Sequence, residues 1–179
     1  SLGKLVGRYG MKITDVTFSS MNGGSMVCEI RHAEHPAPRG DQGFIEFETL
    51  IDLNRPEGWQ RFSDAVQAQR AAFTQLLQDC AAKGQTVVGY GAAAKCMTML
   101  NYCQVGEDLI PAIGDSNPRK QGLLCPGVRI PVVSPEALMG RNPDYVMIGA
   151  WNFKEEIMRF FREKLAYKRR FIVPLPEPM

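Results

Sequence analysis

Leu2, Leu5, Val6 and Tyr9 fall on one face of a helix, and Gly10 follows where a left-handed C-terminal cap belongs. Met11, Ile13 and Val16–Phe18 then read as a strand, Asn22-Gly23-Gly24 as a reversal, and Met26 to Arg31 as the returning strand. A helix with one hairpin cannot bury both faces of its sheet, so a larger partner is expected. Residues 33–55 are broken by Pro36, Pro38, Gly40 and Gly43, and read as irregular. Within them Phe44, Ile45, Phe47, Leu50 and Ile51 fit a short helix or a strand. From about Pro56 to Lys83 the spacing predicts a long helix. Asn54 is placed to cap it, Pro56 suits its first turn and Gly84 closes it. Its apolar positions are Trp59, Phe62, Val66, Phe73, Leu76, Leu77 and Cys80.

Beyond Gly84 the period changes. Short apolar strands are expected at 86–90, 109–114, 130–133, 145–150 and 171–174, with helices near 92–103, 135–140 and 153–167. Strands that are apolar on both sides and feed helices predict a mostly parallel sheet covered on both faces. Right-handed crossovers then make an α/β, Rossmann-like doubly wound domain, preceded by a helix plus β-hairpin and a long helix. The expected organisation is a helix and hairpin over 1–34, an irregular connection over 35–55, and the Rossmann-like domain over 56–179.

Composition narrows the class without naming a function. The 179 residues are 45% hydrophobic and 22% charged, which suits a globular chain able to bury one sizeable core. A net charge of +2 is too small to argue for nucleic acid or anionic lipid as a partner, and neither is expected. No apolar run reaches the ~18–20 residues that span a bilayer, and the N-terminus lacks a secretory pattern. The five cysteines form no zinc-type pair, so reduced buried thiols and a cytoplasmic location are expected.

Three stretches could carry chemistry. Gly89-Tyr90-Gly91-Ala92-Ala93-Ala94-Lys95 follows a buried strand and opens a helix, the context of a phosphate-binding turn. Lys95 in the first turn opposes the helix dipole, which favours a nearby anion. The alternative is a glycine turn used for packing alone. Asp115 stands 24 residues after Gly91, at the end of the next strand, and opens the loop Asp115 to Gly122. There Asp115 could take ribose or sugar hydroxyls, while Arg119 and Lys120 could meet phosphate. A solvated polar turn is the bland reading. Trp151-Asn152-Phe153 follows the fourth strand; Trp151 could stack on a base or sugar with the Asn152 amide beside it, or the rings could pack in the core and Asn152 cap the next helix. His32 and His35 flank Glu34 without a third ligand, and read as a surface linker. The basic positions among Arg159 to Arg170 alternate with Glu155, Glu156 and Glu163, as on a solvated helix face.

These segments, with Val132 to Leu138, Pro143 to Val146 running into Ala150 to Phe153, and Phe171 to Pro174, resemble one known module. It is the C-terminal domain of S-adenosylmethionine-dependent C-methyltransferases that act on nucleotide-linked deoxysugars. The resemblance implies that a zinc-binding piece and an S-adenosylmethionine-binding core precede this domain. Leu2–Arg31 is similar to the last helix and closing hairpin of that core. It further implies that this chain binds neither cofactor, is inactive alone, and holds a nucleotide-linked sugar for an upstream methyltransferase domain. The resemblance places the substrate-binding role on the turn with Gly89, Tyr90, Gly91, Ala92, Ala93 and Lys95, and on Lys120 and Asn152, with the Gly91–Ala93 amides and Lys95 at the diphosphate; Asp115 and Trp151 join them as substrate-binding candidates on the residue reading alone. Two alternatives stay open. One is an NAD(P)-type dinucleotide domain with Asp115 on the ribose, and the other is an interaction module with an architectural turn.

Overall fold

The computed structural model describes residues 2–19, 24–53 and 55–175, which divide between two units, Ser1–Asp64 and Ala65–Met179. In the first unit, helix α1 (Leu2–Gly7) ends in a turn with Gly10 at φ +66°, a conformation that glycine adopts without a side-chain clash. Strand β1 (Met11–Ser19) then pairs antiparallel with β2 (Ser25–His32), from Met11 opposite His32 to Ser19 opposite Ser25. Asn22 and Gly23 of the expected reversal lie outside the described residues.

The ambiguous stretch after the hairpin is a helix, α2 (Gln42–Leu50). Just before it the buried Asp41 carboxylate accepts two hydrogen bonds from Arg39, at 2.9 and 2.6 Å. Those bonds hold the Asp41 carboxyl below the usual carboxylate range. Tyr9, Phe18, Met26, Phe47 and Leu50 stay largely exposed in this unit.

Helix α3 runs over Pro56–Ala82, and Gly84 at φ +66° turns the chain away. The expected cap, Asn54, is outside the described residues. The predicted apolar stripe is buried only from Phe73 onward; Trp59 and Phe62 are exposed and meet edge to face at 6.4 Å.

The second unit is a mixed α/β domain built on five parallel strands: β3 (Val87–Tyr90), β4 (Ile113–Gly114), β5 (Val132–Val133), β6 (Tyr145–Ile148) and β7 (Arg170–Ile172). Their order across the sheet is β5-β4-β3-β6-β7. The helices are α4 (Ala94–Cys103), α5 (Pro135–Met139) and α6 (Lys154–Lys164). Side chains alternate across the sheet between two cores. Val87 and Met147 join Phe73 and Leu77 of α3 and Cys96 and Leu100 of α4 in one. Val88, Val146 and Ile148 join Leu138 of α5 and Ile157 and Phe161 of α6 in the other. Helices therefore cover both faces, as the apolar strands require.

β4 and β5 are shorter than the apolar runs that announce them because Pro111 and Pro131 lack the N–H a ladder needs. Pro131 still accepts, from Ile113 N at 2.9 Å. After β6 the chain makes a 3-10 turn over Trp151–Phe153 before α6 begins, so Phe153, not Asn152, sits at the helix N-cap, with no side-chain cap bond.

Candidate functional site

Chain order reverses between β3 and β6. The first crossover leads from β3 out to β4 and β5, and the next returns to the other side of β3. Helices leaving the two neighbouring strands go to opposite faces, so a crevice opens beyond their carboxyl ends. A cleft of about 560 Å³ lies there, formed by the turn after β3, the loop after β4 and the start of α6.

Gly91 carries the turn after β3. It has φ +91°, and a Cβ there would lie 3.0 Å from Ala150 Cβ and 3.1 Å from Ala150 N. Only glycine suits both the angle and the approach. The turn does not, however, present a row of open amides. Gly91 N donates to Gly114 O at 2.8 Å, Ala92 N to Asp115 Oδ2 at 2.9 Å, and Ala93 N back to Gly91 O at 2.8 Å. The expected Gly91–Ala93 amide cradle for diphosphate is thus already used by the chain itself. The helical ladder of α4 starts with Met97 N to Ala93 O, at 3.0 Å.

Asp115 organises the opposite rim. Its buried carboxylate accepts from Ala92 N and Lys120 Nζ on Oδ2, and from Asn117 N on Oδ1, each at 2.9 Å. Gln121 Nε2 donates to its backbone carbonyl at 2.9 Å. The Lys120 ammonium also donates to Ala92 O at 2.9 Å, so one lysine ties the β4 loop to the β3 turn. Its side chain remains 41% exposed, and its third N–H has no protein acceptor among the described residues. Tyr90 ends β3 and lines the cleft; burial raises its hydroxyl pKa, against which a hydrogen bond with the Ser116 side chain acts.

The third wall is the start of α6. Phe153, Glu156, Ile157 and Phe160 line it at the i, i+3, i+4, i+7 spacing of one helical face. Phe160 stacks on Tyr90 with ring centroids 6.0 Å apart. Phe153 is 55% exposed.

Gly91, Tyr90, Ala93, Asp115 and Lys120 therefore meet in one cleft, with Ala92 bonded into its rim and Gly89 behind it in β3. Lys95 and Trp151 sit beside it: the Lys95 ammonium is 5.5 Å from the Trp151 ring centroid, and Trp151 packs against both cores. The ring supplies some of the electrostatic attraction that the helix dipole withholds from this cation. Asn152 Nδ2 is buried without a hydrogen-bond acceptor among the described residues. Ile157 and Phe160 carry no signal of their own in the sequence, Glu156 reads there as part of a solvated helix face, and Phe153 as either core or ligand contact. Their common helical face was present in the sequence, but the alternating charges of α6 read as solvated surface. Beneath the turn, Cys96 is buried and its thiol pKa is pushed up to about 12 by desolvation. A Cβ on Gly149 would fall 2.5 Å from its Sγ, so Cys96 is a packing residue rather than a nucleophile. Among the described residues no three His, Cys, Asp or Glu side chains group to hold a metal ion, and no helix is long and apolar enough to cross a membrane.

The domain is a doubly wound α/β fold whose switch-point cleft is lined by Asp115, Lys120 and the rings of Tyr90, Phe153 and Phe160. Residues 20–176 match the family described as the C-methyltransferase C-terminal domain. The chain belongs to that family. It is also 36% identical over 180 residues to the C-methyltransferase NovU of Streptomyces niveus, an alignment covering 99% of this chain. The chain spans 43% of that relative's length.

Proposed function

We propose that this domain binds and orients a nucleotide-linked sugar for C-methylation, with the methyl donor, S-adenosylmethionine, held by the preceding part of a longer protein. One observation carries the reading. The switch-point cleft is lined both by an anchored cation, Lys120, and by an exposed aromatic ring, Phe153. Such a pair suits a ligand that is anionic at one point and flat and apolar at another. Hydroxyl groups of a sugar would find the Tyr90 and Ser116 hydroxyls and the Glu156 carboxylate along the same cleft. Phosphate oxygens would accept from Lys120 and draw on the positive end of α4.

The residues do not suit a dinucleotide or the nucleoside of the methyl donor. Ribose recognition in such folds uses the carboxylate at the end of the second strand. Here that carboxylate, Asp115, already accepts from Ala92, Asn117 and Lys120. Its part is to position Lys120 and the turn, and the contribution of the whole domain is placement of the substrate.

Titration calorimetry of the chain with a nucleoside diphosphate–glucose, S-adenosylmethionine and reduced nicotinamide cofactor tests the proposal. Binding of the sugar nucleotide alone is expected. Binding of either of the others, with none of the sugar nucleotide, overturns it.

A further inference from the structure

Three of the basic residues that follow α6 in sequence are not on its face. The helix ends at Lys164, and Lys168, Arg169 and Arg170 lie in the short connection that enters β7. With Gln85, Asp144 and Tyr145 they line a second cleft, of about 330 Å³. The amino ends of β6 and β7 meet there, with Tyr145 opposite Arg170 in register, so this cleft lies at the other end of the sheet from the switch point. Its frame is fixed. The buried Tyr167 hydroxyl lies 3.0 Å from both Asp144 O and Arg170 O. Arg169 Nη1 donates to Asn142 O and Pro143 O, each at 3.2 Å, and to Asp144 Oδ1 at 2.8 Å. Asp144 Oδ2 accepts from Thr86 N at 2.9 Å, so both oxygens of the cleft's carboxylate are engaged. The cations are not matched in the same way. Nε and Nη2 of Arg169, the Lys168 ammonium and the Arg170 guanidinium have no protein acceptor among the described residues, and neither do the Gln85 and Tyr145 side-chain donors. Single unpaired basic side chains are ordinary on a protein surface. Three that line one concavity, one of them locked by its own hydrogen bonds, repel one another unless an anion sits among them. A locked guanidinium edge also matches two oxygens of a tetrahedral anion.

We infer that this amino-end cleft binds phosphate, free or as the monoester of a small molecule. Arg169 offers its Nε–Nη2 edge to two of the oxygens, Lys168 and Arg170 balance the dianion, and Gln85 and Tyr145 donate to what remains. The volume stands at the low end of ligand sites, which suits a small anion.

The test follows backbone amide NMR shifts of the 179-residue chain titrated with inorganic phosphate and, separately, with glycerol phosphate, chloride holding the ionic strength constant. Saturable shifts are expected at Gln85, Tyr145 and Arg170, with a dissociation constant on the order of 1 mM, the scale that two or three charge-assisted hydrogen bonds reach. Tighter binding of glycerol phosphate identifies the ester as the ligand, and tighter binding of inorganic phosphate the free anion. Lys168→Gln and Arg170→Gln should each weaken binding about two- to fivefold, and Arg170→Lys should keep most of it. Both side chains are exposed, so the variants should fold as the wild type does, which circular dichroism checks. Shifts at these amides that never saturate, that chloride alone reproduces, or that persist unchanged when both residues are replaced by glutamine overturn the inference. Saturable shifts confined to Gly91 and Asp115 overturn it too, because they report the switch-point cleft. Neither result depends on whether that cleft takes a sugar nucleotide.

Discussion

Replacing Asp115 by alanine asks whether that carboxylate is part of the scaffold or part of the binding surface. The substitution removes the acceptor of two backbone amides, Ala92 N and Asn117 N, and the partner of the Lys120 ammonium. Hydrogen bonds to a charged group contribute about 1.5–3 kcal/mol each, so the two amides set a ceiling of roughly 3–6 kcal/mol. Asn117 is exposed and its amide can find water, which lowers that figure. The Lys120 side chain is 41% exposed, so the ion pair itself adds no more than about 1 kcal/mol. The expected loss is about 2–4 kcal/mol, a fall of roughly 1–2 M in the urea midpoint. Asp115→Asn should be nearly as costly, because its amide would set N–H groups against donors already in place. Urea unfolding followed by circular dichroism measures both variants. A loss under about 0.5 kcal/mol for Asp115→Ala would show that the loop does not depend on this carboxylate, and would return Asp115 to the role of a ribose or sugar ligand.

Three further outcomes are expected. Gly91→Ala should destabilise by about 2–3 kcal/mol, since a positive φ costs an L-residue roughly 1–2 kcal/mol and its Cβ would press on the Ala150 backbone. Gly84→Ala, at φ +66° with nothing within 4 Å, should cost only about 1 kcal/mol and leave ligand binding intact; thermal melts and calorimetry compare the pair. Asp41→Asn should lower stability at pH 7. The Asp41 folded-state pKa is depressed, so its contribution is complete above the unfolded value near ~3.9 and disappears as the pH falls through the lower folded value. The gap between the two proteins in urea midpoint should therefore close on acidification below that range.

The alternating sheet and its helices were legible because each strand is apolar on both sides and each helix repeats at its own period. The strand lengths were not. Leu109, Ile110 and Ile130 are apolar and lie in the core, yet Pro111 and Pro131 interrupt the ladder beside them. Segment 42–50 was undecidable by period alone; it folds as a helix although none of its residues is buried. At the site, Gly91, Asp115 and Lys120 stood out by residue type, but the bonds they make in the fold join loops more than twenty residues apart. Asp115 takes the Ala92 amide that the turn was expected to offer to phosphate. A sequence shows which groups can donate and not which have already done so. The face of α6 was missed for a different reason: Glu155, Arg159 and Arg162 surround Phe153, Glu156, Ile157 and Phe160, and their charge dominated a pattern whose spacing was helical all along.

The bond from Lys120 Nζ to Ala92 O reaches across from one loop to the next before any ligand arrives. Rotamer freedom of that long side chain, and backbone freedom of both loops, is given up during folding rather than during association. An incoming molecule then meets a rim that is already rigid, and more of its contact energy survives as affinity. Amide exchange at Gly91, Ala92, Ala93 and Asp115, whose N–H groups are bonded within the protein, should accordingly be slow in the free protein and change little on saturation, the signature of a preorganised receptor rather than one that closes around its guest.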